Sequence, residues 1–178
     1  AYWQRHVLDQ RMFGRQTAYW RAQLADAPPL LDLPLDFPRP AAQNARGGTV
    51  SFEISAEIAD RIRLLALEEG ATPFMAFLAA FKAVLARIVG HDDIVVGTPV
   101  AGRNRPELQD IVGLFVNTLA LRTRVSGGRG FRALLREVKR VTLEAQSHQD
   151  LPFEQVVDGG SQGVGRTPQP GGHDPFRL

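Results

Sequence analysis

Pro73 to Val89 is the stretch that most narrows what this chain can fold into. It runs for 17 residues, and its only charged members are Lys82 and Arg87. As a helix it would be about 26 Å long, near the thickness of a bilayer's hydrocarbon core. Lys82 sits close to its middle, so a buried core helix is the better reading than a membrane span. Thr72-Pro73 provides a cap and a first-turn proline, and Gly90 a stop. A helix apolar nearly all round is expected to be covered on most sides. The rest of the chain must therefore supply layers that bury it.

The remaining pattern offers such layers. Arg11 to Ala25 reads as a helix with Phe13, Tyr19, Trp20 and Leu24 as apolar contacts, followed by Pro28-Pro29 and an extended connector to Gly48. Thr49 to Ile54 alternates, with Val50, Phe52 and Ile54 on one side, as a strand does. Ser55 to Gly70 has helix-cap residues at both ends, with Ile58, Ile62 and Leu65 on one face. Asp93 to Gly97 reads as a short strand buried on both faces, because Ile94-Val95-Val96 is continuously apolar. A loop spans Gly97 to Pro106. Phe115 to Val125 alternates as a longer strand, which puts Phe115, Asn117, Leu119 and Leu121 on one face. Phe131 to Ala145 is an amphipathic helix with Phe131, Leu134, Leu135, Val138, Val141 and Ala145 as its stripe. Pro152 opens a final helix through Val157. From Gly159 to Leu178 the chain turns rich in glycine and proline, and a disordered tail is expected there. The order predicts an α/β domain over 1–158, a mixed sheet packed against helices.

Composition removes several function classes. Cysteine is absent, which excludes disulfides, thiolate catalysis and cysteine-ligated zinc. Formal net charge is only +2, and acidic and basic residues are interspersed, so no stripe for nucleic acid stands out. The first residues carry no basic-then-apolar export signal, so a cytoplasmic location is expected. His91-Asp92-Asp93 is better explained as a turn than as a metal site, since the three are consecutive. Gly159-Gly160-Ser161-Gln162-Gly163 matches the G-x-S-x-G pattern, but a nucleophile elbow needs a strand before it, and here a helix precedes.

Two residues stand out as candidates. His148 falls where an amphipathic helix ends, a position that favours an imidazolium. It would either cap the chain reversal before Pro152 or face a substrate. Asn117 lies on an apolar strand face, where an amide must find partners or cost about 1–3 kcal/mol. It would hold neighbouring backbone or face substrate; its neighbour Thr118 points to the other face. Asp150 is open in the same way: it would cap the final helix or face a substrate.

His148-Gln149-Asp150-Leu151-Pro152-Phe153-Glu154 follows Ile111-Val112-Gly113-Leu114-Phe115-Val116-Asn117-Thr118 by about thirty residues. With Tyr2-Trp3-Gln4, Gly97-Thr98-Pro99-Val100-Ala101-Gly102-Arg103 and Arg105-Pro106-Glu107, these blocks resemble the condensation domains of nonribosomal peptide synthetases. The family's blocks read close to I-G-x-F-V-N-T and H-Q-D-x-P-F-E. The resemblance implies one lobe of the chloramphenicol-acetyltransferase-like fold, in which two α/β lobes enclose a tunnel. It further implies amide-bond formation between substrates on the phosphopantetheine arms of carrier proteins, with an adenylation domain nearby and no cofactor bound directly. Asn117 and His148 would then lie at the tunnel or the lobe interface. The family's catalytic H-H-x-x-x-D-G does not occur among these residues. The expectation is a carboxy-terminal lobe that works with an amino-terminal lobe bearing that motif. A carrier-protein docking or scaffold module, or part of a related epimerization or cyclization domain, shares the fold. An R-D-x-S-R-N-P-L-F block, expected after the final helix, has only poor echoes in Arg166-Thr167-Pro168 and Pro175-Phe176.

Overall fold

The computed structural model describes residues 10–37, 47–103 and 106–161. Its elements are α1 (Gln10–Leu24), α2 (Ala56–Glu68), α3 (Pro73–Val89), β1 (Asp93–Val100), a 3-10 turn (Pro106–Leu108), β2 (Asn117–Arg124), α4 (Gly130–Ser147) and α5 (Phe153–Ser161). The opening Tyr2-Trp3-Gln4 and the tail beyond Ser161 lie outside the described residues.

Local chemistry sets the helix ends as expected. Ser55 Oγ accepts from Ile58 N–H at the start of α2. Thr72 Oγ1 accepts from Met75 N–H at 3.3 Å, Pro73 takes the first turn, and Gly90 closes α3 in a left-handed conformation at φ 76°. The strands pair antiparallel, from Asp93 opposite Arg124 to Val100 opposite Asn117. A parallel strand that would make the sheet mixed is not among the described residues. α3 packs on α4, α2 and β1; α4 covers β2; α1 packs on α5. The core holds Trp20, Ala66, Met75, Ala79, Leu119, Leu121, Leu135, Val138, Val141, Leu151 and Val156.

Arg122 ties α1 to the sheet. Its guanidinium donates to Asp93 Oδ2 at 2.6 Å and Oδ1 at 2.9 Å, and to the carbonyls of Gln23 and Ala25 at the end of α1. A cation there meets the negative end of the helix. The Arg122 guanidinium also holds the Asp93 carboxyl below the usual carboxylate range, although burial works in the opposite direction.

The structure corrects the sequence reading in five places. Residues 49–54 form no strand: they are exposed, and no described strand pairs with them. α3 is covered on one face only. Met75, Leu78, Ala79, Lys82 and Leu85 are buried, while Phe74, Phe77, Phe81, Val84 and Ile88 are open. An antiparallel pair with α2 and α4 provides too little surface to wrap a helix of that length. For the same reason only Ile94 is fully buried in β1, and Val95 and Val96 are half-buried. β1 also extends to Val100 and β2 begins at Asn117, so Phe115 belongs to the loop. Finally, α5 continues through Ser161, beyond Val157 and into the glycines assigned to the tail. Glycine costs about 1 kcal/mol per helical position, a slope rather than a stop.

No single described helix is long and apolar enough to cross a membrane. α2 and α3 together are, by length and composition, but they are bent by 105°.

Candidate functional site

The H-Q-D-x-P-F-E block is a reversal between α4 and α5, and it is gripped from two sides. On one side stands α1. Gln16 and Trp20 are one turn apart, so they share the face that meets the reversal. Trp20 Nε1–H donates to the His148 carbonyl at 2.9 Å. Gln16 Oε1 accepts from Leu151 N–H at 2.8 Å, and its Nε2 donates to Asp150 Oδ2 at 3.1 Å. Both side chains are buried.

On the other side stands Asn117, the first residue of β2. Its Nδ2 donates to the carbonyls of Gln149 and Leu151, each at 2.8 Å. Its Oδ1 accepts from Phe153 N–H at 3.0 Å and from Thr118 N–H at 2.9 Å. Two donors and two lone pairs are all an amide has. Of the two roles open to Asn117 in the sequence, holding neighbouring backbone is the one its hydrogen bonds show.

His148 ends α4. Its backbone N–H donates to Ala145 O, and its Nδ1 lies 2.8 Å from Glu144 O. A carbonyl only accepts, so Nδ1 carries the proton, and in the neutral ring Nε2 is left as an acceptor. Tyr19 stacks on the imidazole, with ring centroids 3.9 Å apart and planes within 7°. The Tyr19 hydroxyl is buried without a hydrogen-bond partner among the described residues, and burial pushes it up to about 12. Asp150 Oδ2 accepts from Gln16 Nε2. Leu151 is inserted into the core between these polar flanks.

A second cluster joins the two remaining blocks. Gly102, at φ 63°, passes so close to Phe115 that a Cβ would lie 2.0 Å from its carbonyl oxygen. Only glycine fits such an approach. Arg103 then donates to the carbonyls of Leu108, Gln109, Ile111 and Gly113, and its guanidinium lies 4.5 Å from the centre of the Phe115 ring. The loop so shaped presents Val112 and Leu114, which are 100% and 90% exposed.

The sequence reading found Asn117, His148 and Asp150 and missed Gln16 as a polar contact. The signal available was its spacing of four from Trp20. Tyr19 and Trp20 were read as apolar contacts only, yet Trp20 also acts through its N–H. Asp93 is engaged by Arg122, and Gly159 to Ser161 sit at a helix end, not after a strand.

With this geometry in view, comparison with known proteins is unambiguous about kinship. The family model described as "Condensation domain" matches residues 1–166, and the chain belongs to that family. It is 48% identical over 158 residues to phosphinothricin tripeptide synthetase PhsC of Streptomyces viridochromogenes, covering 89% of this chain and 14% of that protein. It is 49% identical over 158 residues to malpinin synthetase of Mortierella alpina, covering 89% of this chain and 2% of that protein. Among solved structures, the X-domain from teicoplanin biosynthesis superposes with a TM-score of 0.83 at 27% identity, covering 89% of this chain and 36% of that one. A four-domain nonribosomal peptide synthetase bound to AMP and glycine gives a TM-score of 0.81 at 30% identity, covering 84% of this chain and 11% of that one. The chain thus spans a small part of the curated relatives it matches, and its fold is that of condensation domains.

Proposed function

We propose that these residues form the carboxy-terminal lobe of a condensation domain that makes amide bonds between carrier-protein-bound aminoacyl or peptidyl thioesters. The observation that carries this reading is the Gln16–Trp20–Asn117 grip on residues 148–153, within a chain whose family match covers 1–166. Two of the family's blocks, residues 111–118 and 148–154, are joined here through the hydrogen bonds of Asn117. No H-H-x-x-x-D-G occurs in the sequence, so the reacting centre belongs to an amino-terminal lobe. This lobe then closes the tunnel, and phosphopantetheine arms of carrier proteins bring the substrates. An adenylation domain loads the carrier, and the assembly works in the cytoplasm. Asn117 and His148 act by fixing the reversal at the tunnel or lobe interface; in this reading they position rather than react.

A second reading has its own support. The X-domain that superposes well was also solved in complex with OxyB. A lobe of this shape would then dock a partner protein without performing chemistry.

One experiment separates the two. The chain is mixed with donor- and acceptor-loaded carrier proteins, with and without an amino-terminal condensation lobe, and dipeptide is followed by mass spectrometry. Dipeptide only when both lobes are present supports the condensation reading. Carrier binding with no dipeptide under either condition supports docking, and turnover by this chain alone overturns the assignment of chemistry to the other lobe.

A further inference from the structure

Among the described residues, Lys82 is the one charged-type side chain that the core encloses completely, at 0% exposure. It projects from the middle of α3 toward β2. Its Nζ donates to the Leu121 carbonyl at 2.6 Å and to Thr123 Oγ1 at 2.7 Å. No carboxylate lies within ion-pair distance among the described residues. Two acidic groups face it from neighbouring elements: Asp93 on β1 and Glu137 on α4. Each is already committed. Asp93 takes Arg122 at 2.6 Å and Arg124 at 3.9 Å, and Glu137 takes Arg140 at 2.5 Å.

The count of donors is informative. An ammonium carries three N–H donors, and among the described residues this site provides acceptors for two. A neutral amine carries two, and both are matched. A buried ammonium with an unmatched donor and no ion partner is costly, whereas a buried amine with matched donors is not.

We propose that Lys82 is a proton-sensitive tie between α3 and β2: it holds the strand as a neutral amine, and its protonation loosens helix from strand. Burial supports this by pulling the amine down to about 7, while Asp93 and Glu137 resist the fall. The unfolded chain keeps its proton up to the ordinary lysine range, and the folded chain loses it near 7. Between those limits the unfolded state binds more protons, so raising the pH stabilises the fold. Below about 7 both states are protonated and the dependence on this group vanishes. The strand concerned begins at Asn117, so the tie sits on the same element that clamps residues 148–153.

The test exploits composition, because the chain contains only two lysines, Lys82 and Lys139. Lys139 donates to the Glu69 carbonyl and serves as internal reference. Side-chain nitrogen resonances of both are followed in the native 178-residue chain from pH 5.5 to 11 (roughly the interval over which a perturbed amine would titrate). The proposal expects Lys82 to titrate well below Lys139. Coincident titration of the two overturns it. In parallel, the folding equilibrium constant from urea titration should rise by nearly tenfold per pH unit above neutrality, and Lys82→Met should flatten that rise. An unchanged slope in Lys82→Met overturns it too. Should the variant not fold, the resonance titration of the native chain decides alone.

Discussion

Asn117 and Arg103 do the same kind of work in opposite surroundings. Each is a side chain that gathers backbone groups of a loop. Asn117 is uncharged, sits beside the core, and has every hydrogen-bonding position filled by backbone of residues 118 and 149–153. Arg103 is a cation on an open loop, with its contacts mostly exposed to water. Burial is what separates them. An amide can be enclosed when fully matched, and its removal then strands its partners. A guanidinium at the surface shares its carbonyls with water, so each bond adds little. The reversal at 148–153 is therefore an internal joint, while the loop at 106–116 is a shaped but loosely anchored surface.

The largest effect should come from Asn117→Leu. Several backbone groups lose their partners in a partly buried place, at about 1–3 kcal/mol for a stranded group. We expect a loss of roughly 3 kcal/mol, read as a lower urea midpoint at constant slope. A loss below about 0.5 kcal/mol, the range of ordinary surface changes, would erase the distinction from Arg103.

Next comes Trp20→Phe, which keeps an aromatic ring and removes the donor to His148 O. A loss of about 1–2 kcal/mol is expected, combining one hydrogen bond with a smaller ring in the core. Tryptophan fluorescence would be altered by the substitution itself, so calorimetric midpoints are the safer check.

Acid provides a third comparison, at the joint between α2 and α4. Arg136 first, then Arg132, hold the Glu69 carboxyl down to about 2. Its folded value lies below its unfolded one, so its contribution is complete above the ordinary glutamate range. That contribution is lost as pH falls from there toward about 2. Glu69→Gln should flatten this part of the acid unfolding curve, while a curve of unchanged steepness would show that the surface pair is energetically idle.

The smallest thermodynamic effect should be Arg103→Lys, below about 1 kcal/mol, because a lysine keeps the charge and loses the planar fork. Its signature is local: faster amide exchange over 106–116, with exchange across β1 and β2 unchanged. Exchange that accelerates equally in the sheet would mean the loop is not a separate unit.

Much of this was legible in the chain itself. Thr72, Pro73 and Gly90 bound α3 because caps and turn residues act over a few positions. The stripe of α4 was readable from Leu134 to Ala145 because helical period fixes which residues share a face, but Phe131 at its start is exposed and Thr142 is buried with it. Asn117 could be flagged because an amide on an apolar strand face demands partners. Which partners was not readable: residues 149–153 are more than thirty positions away, and only folding brings them beside β2. Alternation at 49–54 misled for a related reason, since a strand exists only when another backbone completes its hydrogen bonds.

The limits of α3, family membership and the residues worth watching thus follow from local spacing and block order, which one-dimensional information carries. What each of those residues does was settled only by folding. It matched Gln16 with Leu151, turned Trp20 into a donor, left one face of α3 open, and enclosed Lys82 against Leu121 and Thr123. Hydrogen bonds and burial depend on distance in space, and distance along the chain does not encode it.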